Sequence, residues 1–233
     1  MSLIRYLQAG NMEQFIIALG VRAFAVFCIL PIHEFAHAWV ATRLGDNTAR
    51  LKGRLTINPM AHLSPIGTLM IFLCGFGYAK PVPVNIRNFK NRKSGFALTA
   101  VAGPVSNLIM AFVWFLISCL IFRFVSSPSR VVSNIFVFCI QIAIINVSLA
   151  VFNLLPIPPL DGSRLITVIL PDKYYYQIMQ YERYIMIALM VLLFTGILTK
   201  PLEFLSMLFT KVLLFVAGLP FGNIGSMIFE MIY

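Results

Sequence analysis

Between Phe96 and Phe122, and again between Val131 and Leu155, the chain runs without one charged side chain. A bilayer core about 30 Å thick asks this of a helix, about 20 apolar residues rising 1.5 Å each. Of the 233 residues only 11% are charged and 60% are hydrophobic, where an ordinary globular chain is about 25% charged. The composition excludes a soluble, disordered or collagenous chain, and gives no support to a nucleic-acid partner. The net charge of +10 fits basic loops that orient a membrane protein and meet anionic headgroups.

A first apolar segment extends from about Phe15 to Val40, broken by Arg22 and by the polar residues from His33 to His37. Arg5 precedes it, but no small-residue cleavage site follows, so it reads as a retained helix and not a signal peptide. Further runs lie at Tyr184–Leu198 and Leu202–Leu219. The expectation is an all-α polytopic membrane protein of five to six transmembrane helices, with no room for a separate soluble domain. Residues 1–233 form a single integral membrane domain in this reading, with a core over about 15–170 and accessory helices over 184–233.

The apolar stretch from Ile66 to Phe76 is too short to span as a helix, and Lys80-Pro-Val-Pro-Val-Asn85 follows it. A re-entrant or hairpin element fits better. It also keeps the loop with Arg43, Arg50, Lys52 and Arg54 on the same face as the loop with Lys80, Arg87, Lys90, Arg92 and Lys93. That is the cytoplasmic face by the positive-inside bias. With five crossings, the N-terminus lies outside and the C-terminus inside. Cys28, Cys74, Cys119 and Cys139 sit in apolar runs at unrelated spacings and read as buried small hydrophobes. Tyr174, Tyr175, Tyr176, Tyr181 and Tyr184 read as interfacial anchors.

Ionisable residues inside membrane segments are functional candidates by default. The foremost are in Leu30-Pro-Ile-His-Glu-Phe-Ala-His-Ala-Trp39, the pattern His-Glu-x-x-His. Residues four apart on a helix share a face, so His33 and His37 can close on one metal ion with Glu34 beside them. The competing reading is a pair of core histidines bonded to backbone carbonyls, which leaves three polar side chains in one apolar turn without benefit. Pro31, two residues upstream, predicts a local break in the helix. Catalytic zinc takes three protein ligands, and the third candidates are His62 and Asp161. Asp161 is favoured because it follows Phe152-Asn-Leu-Leu-Pro-Ile-Pro-Pro-Leu, whose prolines unwind the end of a membrane segment.

These residues resemble the site-2 protease family of intramembrane zinc metalloproteases, in its compact bacterial form without PDZ or CBS domains. His33-Glu34-x-x-His37 matches the family's metal motif, and Asn153 to Gly162 matches its second signature. Asn58 to His62, Gly77 to Asn85 and Ala102-Gly-Pro-Val-Ser-Asn107 match as well. The resemblance implies one Zn2+ per chain on His33, His37 and Asp161, with Glu34 and Asn153 catalytic. Glu34 takes a proton from the attacking water, and Asn153 holds the substrate backbone or the oxyanion. It implies a re-entrant β-hairpin near residues 66–90, a transmembrane protein substrate in regulated intramembrane proteolysis, and a multi-pass place in a bacterial cell membrane with the site toward the cytoplasm. Many relatives have Asp at the position of Ser64 and Trp at that of Tyr78. Asn107 is open between support of the site and bonding across helices. A metal carrier is the rival class, but transport favours repeated ligand stations and the chain has one cluster.

Overall fold

The computed structural model describes residues 3–75, 77–170 and 172–233. Phe76 and the side chains of Arg5, Cys74, Tyr175 and Tyr176 lie outside the described part. Every regular element among the described residues is helical.

The chain opens with α1 (Leu3–Gln8) and α2 (Met12–Phe24), passes through a π-helical turn at Ala25–Ile29, and continues as α3 (Leu30–Arg43). Short helices α4 (Thr48–Leu51), α5 (Pro59–His62) and α6 (Pro65–Cys74) follow. The long pair α7 (Arg92–Phe124) and α8 (Arg130–Leu154) comes next. A 3-10 turn at Asp161–Leu165 leads to α9 (Ile166–Ile169), α10 (Asp172–Gln180), α11 (Glu182–Phe194), α12 (Thr199–Gly218) and α13 (Ile224–Ile232).

Four of these stretches are long and apolar enough to cross a membrane: Met12–Arg43, Arg92–Phe124, Arg130–Leu154 and Thr199–Phe221. The expectation of five to six crossings is not supported, since four candidate spans are found among the described residues. The run from Tyr184 is helical only to Phe194, and the 13 residues of α11 rise about 20 Å, short of the hydrocarbon core. With four candidate spans in place of five crossings, N-terminus outside with C-terminus inside no longer follows from the count.

The β-hairpin is corrected too. Ile66 to Cys74 belongs to the ten-residue helix α6, about 15 Å long and unable to span. Residues 77–85 carry no regular secondary structure and form no strand among the described residues. Pro81 and Pro83 explain this, since each lacks the N–H that a ladder needs. Ser64, where relatives carry Asp, accepts from Gly67 N at 3.3 Å and caps α6, a role that either residue fills.

The core lies where α7 and α8 pack on each other and on the C-terminal pair. Ala111, Phe115 and Cys119 meet Ala143 and Val147, with Leu214 and Ile228 closing the cluster. A second cluster seats Ile17, Val21, Ala25 and Ile29 on Ile142. Trp114 fills the space between, its ring edge-on to Phe24 at 5.3 Å. Leu98, Val105, Ile109 and Val113 form an exposed apolar stripe down α7, at the helical spacing of a lipid-facing side. Cys119 and Cys139 are buried free thiols, and Cys28 is half-buried.

Candidate metal centre

The break expected around Pro31 takes the form of the π turn. Leu30 N–H reaches back to Ala25 O, five residues away, and α3 begins with Pro31 in its first turn, so the wider turn falls where Pro31 withholds a helical donor. Such π turns recur at functional sites because they re-aim the residues that follow. Here they aim His33, Glu34 and His37 inward, and all three are buried.

Asp161 reaches them from across the molecule. Gly162 after it lies so near the carbonyls of Leu154 and Leu155 that a β-carbon would overlap both. The chain therefore folds back against the end of α8 and directs Asp161 at α3. His33 Nε2 and His37 Nε2 are 3.1 Å apart, and Asp161 Oδ2 is 3.2 Å from the first and 3.1 Å from the second.

His37 Nδ1 lies 2.7 Å from Thr99 O on α7. A carbonyl only accepts, so Nδ1 carries the proton and Nε2 turns a lone pair into the cluster. With His37 neutral, its Nε2 and the Asp161 carboxylate bring two bare acceptor atoms within 3.1 Å of each other, an arrangement that a cation between them resolves. The 3.1–3.2 Å separations approach the edge of a tetrahedron with zinc–nitrogen bonds near 2.0 Å, about 3.3 Å. The donor set fits zinc.

Glu34 Oε2 accepts from Val82 N at 3.1 Å. Glu34, the two histidines, Asp161 and Asn153 line one cavity of about 370 Å³, walled mainly by apolar side chains. It abuts a larger cavity of about 960 Å³, and Leu30, Gly77, Leu149, Phe152 and Leu193 belong to both. Asn153 lines the pocket with its amide nitrogen donating to Leu149 O at 3.0 Å.

Among the described residues, the ligand atoms that converge are those of His33, His37 and Asp161, without His62. His62 is fully buried with Nε2 on Thr56 O at 2.7 Å, and its own carbonyl accepts from Lys80 N at 2.7 Å. It is a loop-building residue. Asn107 is buried, and its amide has no hydrogen-bond partner among the described residues. Ser163 donates to Leu160 O at 2.6 Å and is buried. Sequence reasoning missed Thr99 and Gly103, which touch the imidazoles from α7. The signal was the Gly103-Pro104 pair inside a helix, a combination that needs a packing reason.

The family model of peptidase family M50 matches residues 123–196, a span that holds Asn153 and Asp161. YwhC of Bacillus subtilis is 44% identical over 168 residues, covering 70% of this chain and 75% of YwhC. Rip2 of Mycobacterium tuberculosis is 31% identical over 137 residues, 57% of this chain and 51% of Rip2. MJ0611 of Methanocaldococcus jannaschii is 42% identical over 137 residues, 58% of this chain and 62% of MJ0611. All three are provisionally named as zinc metalloproteases. No solved structure matches the chain. With 44% identity sustained over three quarters of YwhC, the chain belongs to peptidase family M50, the site-2 protease family of zinc metalloproteases.

Proposed function

We propose that this chain is a zinc-dependent intramembrane endopeptidase, hydrolysing a peptide bond within or beside a transmembrane segment of a membrane-protein substrate. The supporting observation is the convergence of His33 Nε2, His37 Nε2 and Asp161 Oδ2 within 3.2 Å of one another, in a cavity that also presents Glu34. One zinc per chain is held by these three residues, and when bound it supplies Lewis acidity and lowers the pKa of water toward about 7. Glu34 removes the proton from the attacking water and returns it to the leaving amine. Asn153 turns an amide N–H from Leu149 O to the substrate carbonyl, where negative charge develops. Apolar walls such as Leu149 and Phe152 keep bulk water from competing.

A membrane helix cannot be cut while its backbone is bonded internally. Tyr78 and Ala79 line the cavity in chain outside any helix, and pairing with them satisfies the unwound substrate. The basic loops on either side of α6 set this end of the protein at the cytoplasmic face of a bacterial cell membrane. Residues 1–233 act as a single integral membrane domain, and release of a single-span regulator is the process it serves.

The test is cleavage of single-span membrane substrates by purified protein in liposomes, with zinc content measured in each sample. Wild type forms product; chelator-treated protein and Glu34→Gln do not, and Glu34→Gln keeps its zinc. Turnover by Glu34→Gln removes Glu34 as the base. Wild-type protein that holds no zinc removes the metalloprotease and favours a carrier or binding protein.

A further inference from the structure

We propose that the backbone amide of Val82 sets the orientation of Glu34, with Asp46 and Arg54 as the positioning residues that hold this amide in place. The inference rests on the hydrolase reading above and concerns how its base is held.

Lys80-Pro-Val-Pro-Val-Asn85 is a strap laid across α3. Pro81 and Pro83 have no N–H, so from 81 to 83 only Val82 can donate, and it donates to Glu34 Oε2 at 3.1 Å. Lys80 and Val82 each precede a proline, which restricts both to extended backbone. The strap is thus stiff without a partner strand. Its Val82 side chain packs on Ala38 and Ala49, one residue along α3 from His37.

Both ends are clamped by the loop that follows α3. At the first end, Arg54 Nη2 donates to Lys80 O at 2.5 Å and Pro81 O at 3.3 Å, while Lys80 N donates to His62 O at 2.7 Å. At the other, Asp46 Oδ2 accepts from Asn85 N at 2.7 Å and Oδ1 from Asn88 Nδ2 at 2.8 Å. Thr48 gives Asp46 two further bonds, from its N–H at 3.0 Å and its hydroxyl at 2.5 Å. Asp46 is fully buried and Arg54 is 7% exposed. A loop gains little by burying two charges unless their bonds fix something; what they fix here is the strap, not any metal-binding atom.

A carboxylate held by an N–H on one oxygen keeps the other for the proton in transfer. Freed from Val82, Glu34 samples several rotamers and spends less time aimed at the attacking water.

The experiment uses the full zinc-loaded protein and a cleavable single-span substrate. Val82→Pro deletes the N–H and keeps extended backbone, and Val82→Ala keeps the N–H. We expect kcat to fall about 10- to 100-fold in Val82→Pro, with zinc content unchanged and KM within about twofold; Val82→Ala, which keeps the N–H but loses the side chain packed on Ala38 and Ala49, falls clearly less, and an equal fall in the two overturns the proposal. Asp46→Ala lowers kcat, and Asp46→Ala with Val82→Pro loses no more than Val82→Pro alone, because the clamp then has no donor to aim. Wild-type kcat in Val82→Pro, or losses that multiply in the pair, overturns the proposal.

Amide hydrogen exchange reads the contact without turnover, and without Val82→Pro should that variant not fold. Protection of the Val82 amide falls in Glu34→Ala and in Asp46→Ala. Protection indifferent to both substitutions overturns the proposal even in a protein that cleaves nothing, so its failure is separable from failure of the hydrolase reading.

Discussion

The α-carbon of Gly103 lies against the imidazoles of His33 and His37 with no room for a side chain, since a β-carbon there would overlap His37 Nε2 and His33 Cε1. One turn earlier on α7, Thr99 O accepts the proton of His37 Nδ1 at 2.7 Å. α7 is therefore a wall of the metal centre and fixes the tautomer of His37 and the position of both rings. Gly103→Ala forces the rings or α7 to move, and zinc affinity is expected to fall about 10- to 100-fold, the usual effect of disturbing such support. The overpacking also costs about 1–3 kcal/mol of stability. Competition with a calibrated zinc chelator measures the first and detergent-phase unfolding the second. Wild-type zinc affinity in this variant would show that the rings are not held by α7.

Asp161 is the member of the cluster that comes from a different part of the chain, 124 residues beyond His37. Its removal should therefore separate metal binding from α3. Asp161→Ala is expected to lose zinc on dialysis against a weak chelator, while α3 stays helical because its own apolar packing is untouched. Asp161→Asn keeps a neutral oxygen and should hold zinc more weakly than wild type, by at least about tenfold. Zinc assay after dialysis, with circular dichroism on the same samples, checks both. Retention of zinc by Asp161→Ala would leave the two histidines as the binding pair and require another third ligand.

How far the sequence anticipates this arrangement depends on the range of each interaction. His33 and His37 are legible because a spacing of four is a local property of helices, and Asp161 because a proline-rich run marks the unwound end of a membrane segment. Thr99 and Gly103 are not, since their contact with His37 depends on which helix packs beside α3, and hydrophobic patterning leaves the neighbour of a helix unstated. The strap is a subtler case. Its prolines are visible in the sequence, but reading the stretch as a β-hairpin leaves out of account the N–H groups that they withhold from a ladder. The partners that replaced the ladder, Glu34 48 residues away and Asp46 39 residues away, could only be found in three dimensions. The missing fifth crossing is a matter of length. The apolar run from Tyr184 to Leu198 looked continuous in composition, but its last residues form a turn between α11 and α12.

Asp46 gives the protein an acid-sensitive joint. Burial pushes its carboxyl up, and the hydrogen bonds from Thr48, Asn85 and Asn88 outweigh this and hold it below the ordinary carboxylate value. A carboxylate lowered in the folded state stabilises the fold above its unfolded value, near about 3.9, and that contribution is lost as pH falls through the lower folded value. Wild type is therefore expected to be more stable than Asp46→Asn at neutral pH, with the gap closing below about pH 4. Thermal unfolding midpoints of the two proteins across this range give the comparison. A gap independent of pH would mean that the charge on Asp46 does not hold the joint.

Arg22 sits inside the first membrane-crossing stretch, nearly buried, and donates to Phe72 O in the last turn of α6. The reason follows from the shape of α6, which is too short to cross and ends within the protein beside Gly75, itself next to the Arg22 guanidinium. The last carbonyls of such a helix have no intrahelical partner, and in a membrane they cannot turn to water. A guanidinium satisfies them and also sets positive charge at the negative end of the helix dipole. Arg22→Leu should therefore fray the end of α6 while leaving α2 helical, at a cost of about 1.5–3 kcal/mol for a charged hydrogen bond. Amide exchange over residues 70–75 should rise first, and Arg22→Lys, which keeps the charge but loses the fork, should fall between the two. Because Gly77 and Tyr78 lead from this end of α6 into the cavity with Glu34, the same substitution should lower turnover with zinc content unchanged. Exchange over 70–75 equal to wild type would show that α6 holds its end without Arg22.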